Sequence, residues 1–291
     1  MKRKSPHSYP ANSSVARSGR GAADGNLPAS PAVVIGRTAR RALVALVLVL
    51  VLGTENALAV SADEYLFIPT VTQGEREIDW HFGTGSSGEK THAESNTGLA
   101  FGVGVTQHWF TELDIEYRKQ SPVGTRLDAF EWENIFRIGE PGQWPVDIGM
   151  VFNIEKPYAK SWSSLKTEGW STRFGPLLQK DIGKVQVNFN PLITRFFQGS
   201  EFSATQLGYQ SQIKYRYSQP LEMGIQVFGR LSSSGQTWTT YSEQVHRVGP
   251  VVLGRLVLPG ERSLSYNIAF LMGTTAHSPD RTLRFQFEYE F

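Results

Sequence analysis

The stretch that most constrains the fold of this chain is Arg281 to Phe291. Leu283, Phe285, Phe287, Tyr289 and Phe291 are apolar or aromatic, and Thr282, Arg284, Gln286, Glu288 and Glu290 between them are polar. Side chains of a strand point alternately to opposite faces, so this run has one wholly apolar face and one charged face. A helix would scatter the same residues around its circumference and leave no apolar stripe. The stretch is therefore a strand. Its apolar face must meet either a protein core or a lipid phase.

The same period recurs along most of the chain. Ile78, Trp80 and Phe82 alternate with Asp79 and His81, and Leu113, Ile115 and Tyr117 with Glu112, Asp114 and Glu116. Phe130, Trp132, Phe136 and Ile138 oppose Glu131, Glu133 and Arg137, with a break at Asn134 and Ile135. Counted through the tenth segment, Val245 to Leu258, and the terminal run, the pattern gives about twelve strands. Pro176, Pro191 and Pro250 fall inside strand patterns, where each removes a ladder hydrogen bond, so bulges or local register slips are expected there. Connections alternate in length. Short turns at 106–110, 139–145, 181–184, 218–222 and 259–262 separate generally longer Ser/Gly/Lys-rich loops. Sorting short turns to one rim and long loops to the other is a barrel property that a soluble sandwich does not need.

A terminal Phe291 preceded by Phe285, Phe287 and Tyr289 at every second position resembles the last strand of Gram-negative outer-membrane β-barrel proteins of porin-like or autotransporter size. The resemblance implies that these four residues form an assembly signal for the barrel-assembly machinery. It also implies an all-β, transmembrane, antiparallel up-and-down barrel, here of about twelve strands. Outer-membrane lipids and lipopolysaccharide are then the surrounding partners. A monomer or weak oligomer is expected, located in the bacterial outer membrane after export.

The amino-terminal region fits export. Arg37, Arg40 and Arg41 precede Ala42–Leu52, which contains only Ala, Leu and Val, and Ala57-Leu58-Ala59 supplies small residues for cleavage. This is the pattern of a secretory signal peptide. Eleven apolar residues are too few for a spanning helix, which needs about 20. The expected organisation is an extension plus signal peptide over 1–59, a short periplasmic linker over 60–74 and a transmembrane barrel over 75–291. Of 29 basic and 27 acidic residues, eight and two lie in 1–59. That leaves 21 and 25, a net charge of −4, and no basic footprint for nucleic acid. The absence of Cys removes disulfides, thiolate metal sites and Cys nucleophiles.

If the apolar faces meet lipid, the lumen is polar and divided. Asp79, Glu112, Asp114, Glu116, Glu131, Glu133 and Asp147 form an acidic arc on strands one to five. Arg173, Lys214, Arg216, Arg230, Arg247 and Arg255 form a basic arc on strands six to ten. Ion pairs across a narrow lumen would hold it rigid, whereas a water-filled lumen would carry a transverse field that orients charged solutes. The expected function is a narrow passive channel for small solutes, or a structural envelope barrel with a salt-bridged lumen. No cofactor, catalytic set or metal site is expected, because no two of His81, His92, His108, His246 and His277 have ligand spacing on one face. The alternative from another class is a phospholipase-like, lipid-modifying enzyme with a Ser/His pair at the barrel wall. Trp109, Phe110, Trp144, Trp162, Trp238 and Tyr241 are expected in an interfacial girdle. Arg195 and Lys180 are expected on the lipid side at strand ends, where their heads can snorkel.

Overall fold

A computed structural model describes residues 61–86, 94–120, 124–158, 169–198, 202–233, 240–260 and 262–291. The signal-peptide segment, with Trp162, Trp238 and His92, lies outside the described residues. Twelve antiparallel strands form a closed barrel in sequential order. They are β1 Arg76–Ser86, β2 Glu94–Gly104, β3 Trp109–Gln120, β4 Gly124–Ile138, β5 Asp147–Pro157, β6 Gly169–Ile182, β7 Val185–Gln198, β8 Phe202–Ser218, β9 Leu221–Ser233, β10 Val245–Leu258, β11 Arg262–Gly273 and β12 Arg281–Glu290. β1 closes on β12 with Trp80 opposite Phe287 and Phe82 opposite Phe285. Closure leaves no unpaired sheet edge, as a strand in a lipid phase requires.

The alternation sorts the two faces as the sequence implies. Outward side chains such as Trp80, Leu113, Trp132, Ile213 and Ile225 are exposed, while inward Asp79, Glu112, Asn188 and Gln226 are buried. Aromatic residues of the seam stack on the outer face, with the rings of Trp80 and Phe287 5.7 Å apart. On the turn rim, the two-residue β6–β7 hairpin places Gly183 at φ 60°, a conformation that favours glycine.

Two expectations about local structure change. The prolines introduce neither bulge nor slip. β6 and β7 keep one register on both sides of Pro176 and Pro191, from Phe174 opposite Ile193 to Leu178 opposite Phe189. β10 does the same around Pro250. The cost is limited to the ladder bonds next to each ring. Asn134 and Ile135 do not interrupt the alternation either; they exchange polarity within it. Ile135 points inward beside Phe110, its partner on β3. Asn134 is on the outer face but buried, and its Oδ1 accepts from Trp109 Nε1 and Thr111 Oγ1, each at 3.0 Å. A polar side chain on the lipid face is tolerated because its hydrogen bonds are made within the wall. Phe110, expected in the girdle, is instead part of the interior.

The larger correction concerns residues 60–74, expected to be a linker outside the barrel. Residues 61–72 instead run inside the lumen as an inlay before the chain enters β1. Phe67 and Val71 pack on an apolar patch formed by inward Phe110, Ile135, Val151, Leu177 and Leu192. Two wall glycines make room for the inlay. A Cβ on Gly83 would overlap the Ala62 carbonyl, and one on Gly104 would overlap the Thr72 carbonyl. Neither β1 nor β2 could carry a larger residue there without moving this backbone.

Candidate functional site: an occluded, charged lumen

Backbone in a confined lumen must find partners for its N–H and C=O groups, and uncharged wall amides supply them. Gln210 on β8 accepts from Phe67 N at 3.1 Å and donates to Tyr65 O at 2.8 Å. Asn190 on β7 donates to Phe67 O at 2.8 Å and to Gln210 Oε1 at 3.2 Å. Asn96 on β2 accepts from Ala62 N. The side chains of three strands thus replace the ladder that an isolated extended segment lacks.

The basic arc is organised around one inlay carboxylate. Arg247, only 1% exposed, reaches Glu64 at 2.8 Å and donates to Ser61 O at 3.1 Å. Arg230 lies 4.0 Å from the same carboxylate. Arg284 on β12 donates to Glu64 O at 2.7 Å, and to Gln226 and Asn267. The guanidinium groups of Arg247 and Arg284 both lie over the Phe228 ring, at 5.7 and 5.5 Å from its centroid. Arg173 lies over the Phe67 ring at 5.9 Å. Burial alone would raise the Glu64 pKa, but Arg230, Arg247 and Arg173 outweigh it and hold the carboxyl below its ordinary 4.5.

The acidic arc meets the next inlay residues. Tyr65 donates to Glu133 at 3.1 Å, and Asn153 donates to the same oxygen at 3.1 Å and to Glu131. His81 Nε2 lies 3.2 Å from Asp114 and 3.7 Å from Asp63 of the inlay. Three of the remaining basic residues pair with carboxylates along the wall. Lys214 pairs with Glu222 at 2.6 Å, Arg216 with Asp181 at 2.7 Å, and Arg255 with Glu290. Asp147 caps its own turn through Gly142 N at 2.6 Å. The inlay sets its own carboxylates against both sides of the lumen, Glu64 at Arg247 and Asp63 at His81.

Cavities remain on either side of the inlay, and Tyr65 and Phe67 line both. One, of about 160 Å³, includes Asp63, His81, Glu116, Glu131, Arg173 and Arg230 in its walls. The other, of about 400 Å³ on the short-turn side, is lined by eight carboxylates against Lys214 and Arg255. Glu112, buried from solvent, lines this second space. Sequence reasoning missed Glu64, Arg284, Asn190 and Gln210. Arg284 was legible as an inward residue of the last strand. The other three acquire their roles only through the inlay.

The remaining expected positions are more ordinary. The His246 ring bonds Tyr209 Oη at 3.0 Å and Gln244 at 2.8 Å, while Ser278 Oγ contacts the His246 backbone. Among the described residues neither ring nitrogen of His246 bonds a serine. Arg195 lies over Phe197 on the outer face. Phe285, Phe287 and Tyr289 point outward on β12, and Phe291 donates its N–H to Arg76 O at 2.9 Å.

No family model matches this chain, and no curated protein sequence matches it. Solved structures do. An outer-membrane channel from Pseudomonas putida F1 aligns over 81% of this chain and 100% of its own, at 11% identity and a TM-score of 0.52. The fold is that of a Gram-negative outer-membrane β-barrel. The beta domain of the Bordetella autotransporter BrkA covers 76% of this chain and 99% of its own, at 11% identity and a TM-score of 0.48. The translocator domain of the autotransporter NalP from Neisseria meningitidis covers 87% and 94%, at 8% identity and a TM-score of 0.44.

Proposed function

We propose that this barrel is a narrow passive channel of the outer membrane, selective for small cationic solutes and closed here by its own inlay. The observation that carries the reading is the pair of charge-bearing cavities on either side of a single extended segment. A barrel serving only as a scaffold has no need of a large void whose wall carries eight carboxylates and two cations. Burying like charges in a small space is costly, and water with mobile counter-ions relieves the cost. Such a wall concentrates cations and repels anions. The solved structure with the highest TM-score reported above is itself described as an outer-membrane channel.

Conduction requires the inlay to leave or shift, because residues 61–72 stand between the two cavities. The test is planar-bilayer recording of the wild type and of a variant lacking residues 61–72. The variant should conduct continuously and give a cation-selective reversal potential in a salt gradient. Glu131→Gln with Glu133→Gln should reduce that selectivity. A folded deletion variant that passes no current would overturn the channel reading and leave an envelope scaffold.

A further inference from the structure

At the short-turn mouth of the lumen, where β1 closes on β12, carboxylates face one another across the seam. Glu77 is opposite Glu290 and Asp79 is opposite Glu288 in the strand register. Like charges directly opposite in an antiparallel pair are destabilising, so this seam needs a compensating charge. Wall cations supply only part of it. Arg255 pairs with Glu290, and Lys214 is taken by Glu222.

Glu75, Glu77 and Glu288 each present a carboxylate oxygen within 4.8 Å of the others. Glu77 is 8% exposed and lines the 400 Å³ cavity. Among the described residues it has neither a hydrogen-bond nor an ion-pair partner. Its electrostatic neighbours are Glu288, Glu75, Asp79 and Glu290. Asp79, also buried, accepts from Gln286 through Oδ2 at 2.6 Å, while Oδ1 has no partner. Glu75 lies between the inlay and β1 and brings its carboxylate to this seam.

We propose that Glu75, Glu77 and Glu288 bind one hard divalent cation of the Ca²⁺ class at this seam. Oxygens so spaced can all reach a Ca²⁺ ion at about 2.3–2.6 Å, and the cavity leaves room for water to complete its six to eight ligands. An all-carboxylate set without His or Cys favours Ca²⁺ or Mg²⁺ over zinc or copper. Histidine spacing pointed to no metal site; the ligands here are carboxylates brought together by barrel closure. The ion would join the inlay's end to the first and last strands, and the site does not depend on the lumen conducting.

The experiment is isothermal titration of CaCl₂, and separately MgCl₂, into the full chain purified in lipopolysaccharide-free detergent. One cation per chain is expected, with Glu77→Gln weakening it by about tenfold or more because a charged ligand is lost. Glu288→Gln provides a second variant should the first fail to fold. In chelator, both substitutions should raise the urea midpoint above that of the wild type, since each removes one of the facing carboxylates. Added Ca²⁺ should then stabilise the wild type more than either variant. Failure of the wild type to bind either cation at millimolar concentration, or binding that survives both substitutions unchanged, would overturn the site.

Discussion

Phe67 is the point at which the inlay's hold on the lumen can be tested with one substitution. Its ring is 3% exposed and is clustered with Val71, Phe110, Ile135, Val151, Leu177 and Leu192, all on the inner face or the inlay. Truncating a buried Phe to Ala costs about 3–5 kcal/mol. The wall contributes its own continuous ladder, so this loss falls on docking of the inlay and not on barrel closure. At about 1.4 kcal/mol per tenfold, the docked-to-undocked ratio should fall roughly 10²- to 10⁴-fold. In single-channel recordings, Phe67→Ala should open far more often than the wild type at the same unit conductance. Leu113→Ala, on the exposed outer face, serves as the control and should leave gating unchanged. If Phe67→Ala folds, shown by altered migration of unboiled protein, yet opens no more often than the wild type, the inlay is not the gate.

Other perturbations test the same architecture from different sides. Glu64 has a pKa below 4.5, so its contribution to docking is fully present above 4.5 and is lost only as pH falls through the lower folded value. The part of the open probability that Glu64 controls should therefore rise only in acid below its ordinary 4.5, and Glu64→Gln should remove that acid step. Gly104→Ala drives a Cβ into the Thr72 carbonyl and should increase opening without lowering the urea midpoint of the barrel. Asn134→Ala leaves Trp109 Nε1 without its acceptor and should destabilise the wall by about 1–3 kcal/mol in urea titration, with gating unaffected.

Strand period, together with short turns on one rim and longer loops on the other, was enough to read the barrel. Leu283 to Phe291 has one apolar and one polar face, each earlier strand repeats that division, and the sorted connections put lipid on the apolar side. Inward placement of Asp79, Glu112, Glu133 and Arg247 follows from the same parity. The pairing of those charges does not. Period gives the face a side chain occupies, but not its neighbour across a lumen or the depth at which it meets one.

The inlay shows this limit most clearly. Residues 61–72 have no strand period and no repeat, so their sequence reads as a connection. Their place is fixed by contacts 123 and 183 residues away in the chain, Asn190 with Phe67 and Arg247 with Glu64. Nothing in the local pattern marks Gly83 or Gly104; the backbone of Ala62 and Thr72 packed against them does. Likewise, the facing of Glu77 with Glu290 exists only because the first strand closes on the last. Local sequence determined the greasy exterior and charged interior, because a pleat obliges each residue to choose a side. What fills that interior was decided by closure, which brings the chain's distant segments within reach of one another.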